Sequence, residues 1–214
     1  MIFVYTNFDD TTNVLSSYAE TLLRWPGVQF LRILKPPPKG SISSSIQQEL
    51  VSISTNIAQE LVDPRNEGVP VFFFGHGYDI PPELRGQDDK PFVGTKNPDL
   101  LRNRVLCAIC CHAVQVFEPV VHGINTTIIG FRGALNVPLT SPYKESMQDC
   151  ALAAPIALLA NSDVQTAASK AQTAFKQLAR SLFAQDDIGA FVHAGLMQDN
   201  ADIVGFCGDG GRKL

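Results

Sequence analysis

The sequence has little of what marks a nucleic-acid-binding or membrane protein. Lys and Arg number 17 against 21 Asp and Glu, the net charge is −4, and the basic residues form no run. Because phosphate backbones are bound chiefly by clustered Lys and Arg, we expect no nucleic-acid partner. No segment stays apolar and uncharged for the roughly 20 residues of a membrane-spanning helix. The first residues, MIFVYTNFDD, lack the basic start and long apolar run of a secretory signal. We therefore expect a cytoplasmic protein without membrane association.

A disulfide framework is also not indicated. The chain has five cysteines, an odd number, and Cys107, Cys110 and Cys111 crowd one short segment. This distribution favours reduced thiols. Together with His112 these cysteines have a zinc-like Cys-x-x-Cys spacing, but no second Cys or His pair accompanies them, and an extended strand would splay the ligands apart. We expect neither a metal nor another cofactor.

Length and composition predict one globular domain covering residues 1–214. The chain is 45% hydrophobic and 18% charged, which is enough apolar content to bury a core and too much for a disordered chain. Short apolar runs alternate with helical patterns, as in βαβ units. We therefore expect an α/β fold with a mostly parallel central sheet and helices on both faces.

The predicted elements follow from apolar patterning and from turn residues. Strands are predicted at residues 2–6, 28–34, 69–74, 105–109, 126–137 and 190–194. A helix after the first strand is predicted to be capped by residues 9–12, an apolar stripe predicts a helix over 42–61, and the Ala-rich segment 151–183 predicts two helices broken near 161–163. The polar stretch 78–97 is predicted to be irregular, and the Gly-rich tail after residue 204 to be a flexible terminus.

His76 and Cys111 each follow directly on an apolar strand. Ligands gather at the carboxyl ends of the strands in parallel sheets, so these two side chains would emerge side by side if their strands are neighbours. A histidine next to a thiol accepts its proton and makes it a nucleophile for acyl transfer. Gly75 and Gly77 flank the histidine, and the Gly77 amide could point at a developing oxyanion. The pattern predicts a Cys–His nucleophilic site.

The segments FGHG (74–77) and CCHA (110–113) resemble the His-Gly and Cys-His-Ser pattern of caspase-like cysteine peptidases of clan CD, in particular the CHAT-domain branch related to separases and metacaspases. Residues 128–130 look like the strand after the nucleophile in that branch. Residues 164–175 and 188–192 look like its penultimate helix and its closing strand. The resemblance spans nearly the whole chain and implies a caspase-like three-layer sandwich.

The implied activity is hydrolysis of peptide bonds in a protein substrate through a thioester. In this resemblance His76 is the general base, Cys111 is the nucleophile, and the backbone amides of Gly77 and Cys111 form the oxyanion hole. Arg132 lies where caspases place a pocket arginine, which makes it a candidate substrate-binding residue. Ile109 and Cys110 replace the acidic residue that binds a basic side chain in metacaspases. Since sensor regions are missing, we expect a separate regulatory protein or constitutive activity.

Several alternatives stay open. Strand alternation sends Cys110 and Cys111 to opposite sides, so only one can face His76, and Cys110 remains a candidate. Cys107 and Cys150 are interpreted as core residues. The same fold could serve as a non-catalytic interaction or scaffold module. A flavodoxin-like fold shares the βα alternation but gives no reason for His-Gly and Cys at successive strand ends.

Overall fold

The structure is a computed structural model that describes residues 1–25, 32–34, 61–86 and 91–214. Within these ranges the chain forms, in order, β1 (Ile2–Tyr5), α1 (Asp10–Leu23), β2 (Arg32–Leu34), β3 (Val71–Phe74), β4 (His76–Asp79), β5 (Pro82–Arg85), β6 (Pro91–Gly94), β7 (Val105–Ile109), α2 (Ala113–Phe117), β8 (Thr127–Phe131), α3 (Tyr143–Leu159), α4 (Val164–Phe183), α5 (Ile188–Ile203) and β9 (Val204–Cys207). Among the described helices, none is long and apolar enough to cross a membrane.

In the described ranges, six strands form the central sheet, in the spatial order β2-β1-β3-β7-β8-β9. The first five are parallel, and β9 runs antiparallel to β8. The predicted mixed α/β fold with a mostly parallel sheet is therefore confirmed. Strands β3 and β7 are neighbours, and their last residues, Phe74 and Ile109, are paired in register.

The central strands β1, β3, β7 and β8 are buried on both faces, which explains why they are almost wholly apolar. Side chains alternate between the faces along each strand. Phe72 and Cys107 belong to a core cluster that also contains residues of α1, α3, α4 and α5. Val71 and Leu106 belong to a second cluster, which contains residues of α2, β5 and β6 together with Leu61.

Among the described helices, α1, α4 and α5 begin where an aspartate accepts one of their first amides. Asp9 caps α1 through a capping box with Thr12, as predicted. Asp163 caps α4 by accepting the Thr166 amide. The predicted break in the Ala-rich segment is also confirmed, because α3 ends at Leu159 and α4 begins at Val164.

Arg104, just before β7, joins the sheet to the segment that precedes β3. Its side chain is 2% exposed. The guanidinium donates to the main-chain oxygens of Leu61, Asn66 and Val69 at distances of 2.6 to 2.8 Å. These bonds supply a donor to the oxygens of the buried Leu61 and the half-buried Val69, and a second donor to the Asn66 oxygen, which also accepts the Val69 amide at 3.1 Å.

Two predictions about the C-terminal part are wrong. Residues 190–194, and with them the closing strand implied for 188–192, lie in α5, where Ala190 and Ala194 face the core one helical turn apart. The last strand is β9, some ten residues later. The tail is also not a free terminus, because Gln165 and Val164 donate their amides to the oxygens of Gly210 and Arg212 at 2.9 and 3.0 Å.

The remaining differences concern lengths and the polar insertion. The strand predicted at 126–137 ends at Phe131. In the polar stretch 78–97, residues 78–79, 82–85 and 91–94 are not irregular but belong to a separate antiparallel sheet, β4-β5-β6. Of the strand predicted at 28–34, residues 32–34 are described and are extended. The helix predicted over 42–61 lies outside the described residues except for Leu61, which is helical.

Candidate active site

The ends of β3 and β7 bring two of the predicted site residues to one edge of the sheet. His76 and Cys111 each lie two residues beyond the paired ends Phe74 and Ile109. The Gly75 amide donates to the Ile109 oxygen at 3.4 Å, which continues the pairing by one residue. Beyond it the main chains stay in contact, since a Cβ added to Gly77 would lie 1.9 Å from the Cys111 oxygen. Only glycine fits at position 77.

The imidazole of His76 is held on several sides and is about one-fifth exposed. Its Nε2 lies 2.6 Å from Oδ2 of Asp9. The Phe8 ring meets it edge-on with centroids 5.3 Å apart, and the Tyr78 ring lies at 6.1 Å. The ring is thus oriented by the loop between β1 and α1.

Asp9 is a site residue that the sequence analysis missed, since it was interpreted only as a helix cap. Asp9 follows β1, and the pairing of β1 with β3 brings it to the same sheet edge as His76, which is a tertiary feature that no sequence pattern signalled. Burial by itself would raise the pKa of Asp9. Hydrogen bonds from the Thr12 amide, the His76 ring and the Thr12 hydroxyl outweigh burial and lower that pKa, so the carboxylate is ionised at neutral pH.

Cys111 is the more accessible of the two adjacent thiols. Its residue is half-buried, whereas Cys110 is 1% exposed in the core. Burial raises the pKa of Cys111, and hydrogen bonds from the amides of Leu135 and Cys111 itself oppose that rise. The Leu135 amide lies 3.2 Å from Sγ. Burial raises the pKa of Cys110 far more, and the thiols of Cys111 and Cys107 raise it further.

The two reacting groups are engaged with other partners. In the described part of the chain, the Cys111 thiol accepts from Leu135 while the His76 ring contacts Asp9, and no hydrogen bond joins thiol to imidazole. The sheet therefore places the two residues on neighbouring strand ends without joining their side chains. Proton transfer between them requires the thiol and the imidazole to come within hydrogen-bond reach, directly or through one water.

The two predicted oxyanion donors have distinct surroundings. Gly77 lies in β4 opposite Leu84 of β5. The Cys111 amide counteracts the rise in the pKa of its own thiol. These contacts do not contradict an oxyanion-hole role for the amides of Gly77 and Cys111, and that role stays a prediction.

Arg132 lies directly after β8, at the side of the sheet formed by β9. Its guanidinium contacts the Glu118 carboxylate at 2.8 Å and donates to the Phe206 oxygen at 2.9 Å. The side chain is still 44% exposed. These contacts tie α2 to β9, and binding of substrate by Arg132 stays a prediction.

The Cys-x-x-Cys spacing does not build a metal site within the described ranges. Cys107 belongs to one core cluster and Cys110 to the other, so their side chains lie on opposite faces of the sheet. Across those ranges no three His, Cys, Asp or Glu side chains gather in a way that could hold a metal ion.

Neither the protein-family models nor the curated proteins contain a match to this chain. Its function is therefore inferred from the side chains at the sheet edge and from the contacts that hold them.

Proposed function

We propose that this chain is a cysteine endopeptidase with a caspase-like three-layer fold, in which Cys111 is the nucleophile and His76 the general base. The observation that carries the proposal is the register of β3 and β7, in which His76 and Cys111 stand at equal distances beyond paired strand ends. Two main chains in contact at Gly77 keep these positions together. The helical core on one face, and α2 with the helical Leu61 on the other, support the layered architecture.

The reaction that fits these groups is acyl transfer through a thioester. The thiol proton of Cys111 passes to His76, and Sγ forms a bond to the carbonyl carbon of the scissile peptide. The imidazolium then returns the proton to the departing amine as the C–N bond breaks. Water hydrolyses the thioester with His76 again as base. Amides near Gly77 and Cys111 would stabilise the oxyanion at each attack.

The substrate class is a polypeptide, and a separate protein is proposed to regulate access to the site. Burial raises the pKa of Cys111, so the thiol carries its proton at neutral pH. The base must therefore act during attack instead of holding a preformed thiolate. A partner or a substrate that turns the Cys111 side chain from Leu135 toward His76 would switch the enzyme on.

A non-catalytic interaction module is the second candidate. It is favoured by the contacts that occupy both side chains, His76 with Asp9 and Cys111 with the Leu135 amide. In that case the half-buried Cys111 thiol only packs against the core, and the sheet edge carries no chemistry.

A peptide-library assay decides between the two candidates. The wild-type chain, Cys111→Ala, His76→Ala and the matched control Cys110→Ala are incubated with a fluorogenic tetrapeptide library. We expect cleavage by the wild type and by Cys110→Ala, and a loss of at least about 10³-fold in the other two variants. Cleavage retained in Cys111→Ala would refute the proposal, and no cleavage by any form would favour the interaction module.

Native alkylation provides a measurement that needs no substrate. The chain is treated with iodoacetamide from pH 6 to pH 10, and modified residues are mapped by mass spectrometry. Because burial raises the pKa of Cys111 less than that of Cys110, Cys111 should be modified first among the thiols of the described segments, at a rate that climbs above neutral pH. Equal labelling of Cys107, Cys110 and Cys111 would contradict this assignment.

A further inference from the structure

We propose that Asp9 is a positioning residue that holds His76 in its Nε2–H tautomer, so that Nδ1 is the nitrogen that receives the thiol proton. The inference rests on the proposed function and adds a third member to the Cys111–His76 pair. It starts from the 2.6 Å contact between His76 Nε2 and Asp9 Oδ2.

The two oxygens of Asp9 have separate partners. Oδ1 accepts the Thr12 amide at 2.7 Å and the Thr12 hydroxyl at 2.9 Å, which closes the cap of α1. Oδ2 faces His76. An ionised carboxylate can only accept, so Nε2 must carry the hydrogen whether the ring is neutral or charged. Proton transfer during catalysis then takes place at Nδ1.

The surrounding geometry agrees with Nδ1 as the base. Nδ1 is bonded to Cγ and is therefore the ring nitrogen nearer the main chain. The main chain after His76 touches Cys111 at Gly77. Phe8, which precedes Asp9, packs edge-on against the ring and restricts its rotation. The carboxylate also compensates the positive charge that forms on the ring during attack.

The charged and titratable groups around the imidazole lie on four parts of the chain, namely the β1–α1 loop, β4, β5 and the end of β7. Asp9 approaches from the β1–α1 loop. Tyr78 follows His76 on β4, and Arg85 is the register partner of His76 on β5, with its guanidinium 4.7 Å from the Tyr78 ring centre. Cys110 and Cys111 lie at the end of β7. Of these groups, only the Asp9 carboxylate is hydrogen-bonded to the His76 ring in the described structure.

The substitution Asp9→Asn separates the role of the cap from the role toward His76. Asn caps helices about as well as Asp, so α1 should keep its first turn. The Thr12 amide needs an acceptor, which keeps the Asn carbonyl oxygen on the Thr12 side. The amide NH₂ then takes the place of Oδ2 and donates to Nε2. His76 must move its hydrogen to Nδ1, which blocks the proposed base.

The test reads the tautomer directly. The chain has four histidines; it is labelled with ¹⁵N-histidine, and His76 is assigned with His76→Gln. Two-bond ¹H–¹⁵N spectra are recorded for wild type, Asp9→Asn and the matched control Asp10→Asn, up to about pH 9 so that the neutral ring is observed. We expect the Nε2–H form in wild type and Asp10→Asn, and the Nδ1–H form in Asp9→Asn. An Nδ1–H wild type, or an unchanged Asp9→Asn, overturns the inference.

Peptide cleavage completes the experiment and keeps the two proposals apart. A histidine in the wrong tautomer costs about 10⁴-fold in kcat in serine peptidases, and we expect a loss of about 10³-fold or more in Asp9→Asn with little change in KM. If wild type and Asp9→Asn cleave equally well, the role of Asp9 is refuted and the peptidase stands. If wild type does not cleave and its Cys111 is not alkylated ahead of the other thiols, the peptidase is refuted, and the tautomer still decides what Asp9 does.

Discussion

The contact between Gly77 and Cys111 makes Gly77→Ala the most direct perturbation of the candidate site. A Cβ at position 77 would lie 1.9 Å from the Cys111 oxygen, whereas contacts under 3.0 Å are essentially never seen, so the two main chains must separate by about 1.1 Å. The obstacle is backbone and not a flexible side-chain end. Neither β4 nor the turn after β7 can relieve the overlap by a rotamer change.

The size of the effect follows from this displacement. Overpacking of a well-packed site costs about 1–3 kcal/mol of unfolding free energy. For a chain of this length each kcal/mol lowers Tm by about 2–4 °C. A misplacement of about 1 Å between reacting groups costs about 10²-fold in rate. We therefore expect Gly77→Ala to lose both stability and peptide cleavage.

The assay combines thermal unfolding with the peptide-library measurement and uses Gly195→Ala as the control. Gly195 lies inside α5, and a Cβ there would have no heavy atom within 4 Å. The unfolding free energy of Gly195→Ala should be about 1 kcal/mol higher than that of the wild type, because Ala is the better helix former. This control should cleave peptides as the wild type does. A Gly77→Ala protein with wild-type Tm and wild-type cleavage would refute the close approach of the two strand ends.

Three further predictions concern stability. Arg104→Ala should lower the unfolding free energy by about 3 kcal/mol or more in urea titrations, because one buried and two part-buried hydrogen bonds from the guanidinium are lost. A cost in unfolding free energy below about 1 kcal/mol would contradict that role. Asp163→Ala should lower the unfolding free energy by about 1 kcal/mol, and Asp163→Asn by only about a few tenths of a kcal/mol. Equal losses in the two variants would show that helix capping does not cause the destabilisation. For Asp9, burial would raise the pKa, but hydrogen bonds from Thr12 and His76 outweigh it, so the pKa is lowered in the folded protein. Asp9 therefore stabilises the folded state fully above the unfolded pKa of about 3.9, and this stabilisation is lost as the pH falls through the lower folded pKa. The unfolding free energy, measured from pH 2 to pH 6, should fall at low pH in wild type and change less with pH in Asp9→Asn. Identical pH dependence in the two proteins would exclude this contribution of Asp9.

The local sequence was sufficient to predict a strand where every residue of a run is buried. Residues 71–74 and 105–109 are apolar at every position, because both faces of their strands are covered, and such runs predict central parallel strands. Residues 190–194 show where this reasoning fails. A short apolar run with alanines fits a buried strand and a helix face equally well, and packing against the core selects the helix.

The sequence by itself determined the α/β class and the placement of His76 and Cys111 immediately after strands, because the pattern of apolar residues along a segment reflects which of its residues are buried. The tertiary structure alone decided which strands are neighbours. The pairing of β3 with β7 sets His76 beside Cys111, and the pairing of β1 with β3 brings Asp9 to the imidazole across 67 positions of sequence. Strand order depends on how helices and connections pack, which is a property of the whole chain, so no local pattern around residue 9 could reveal its partner.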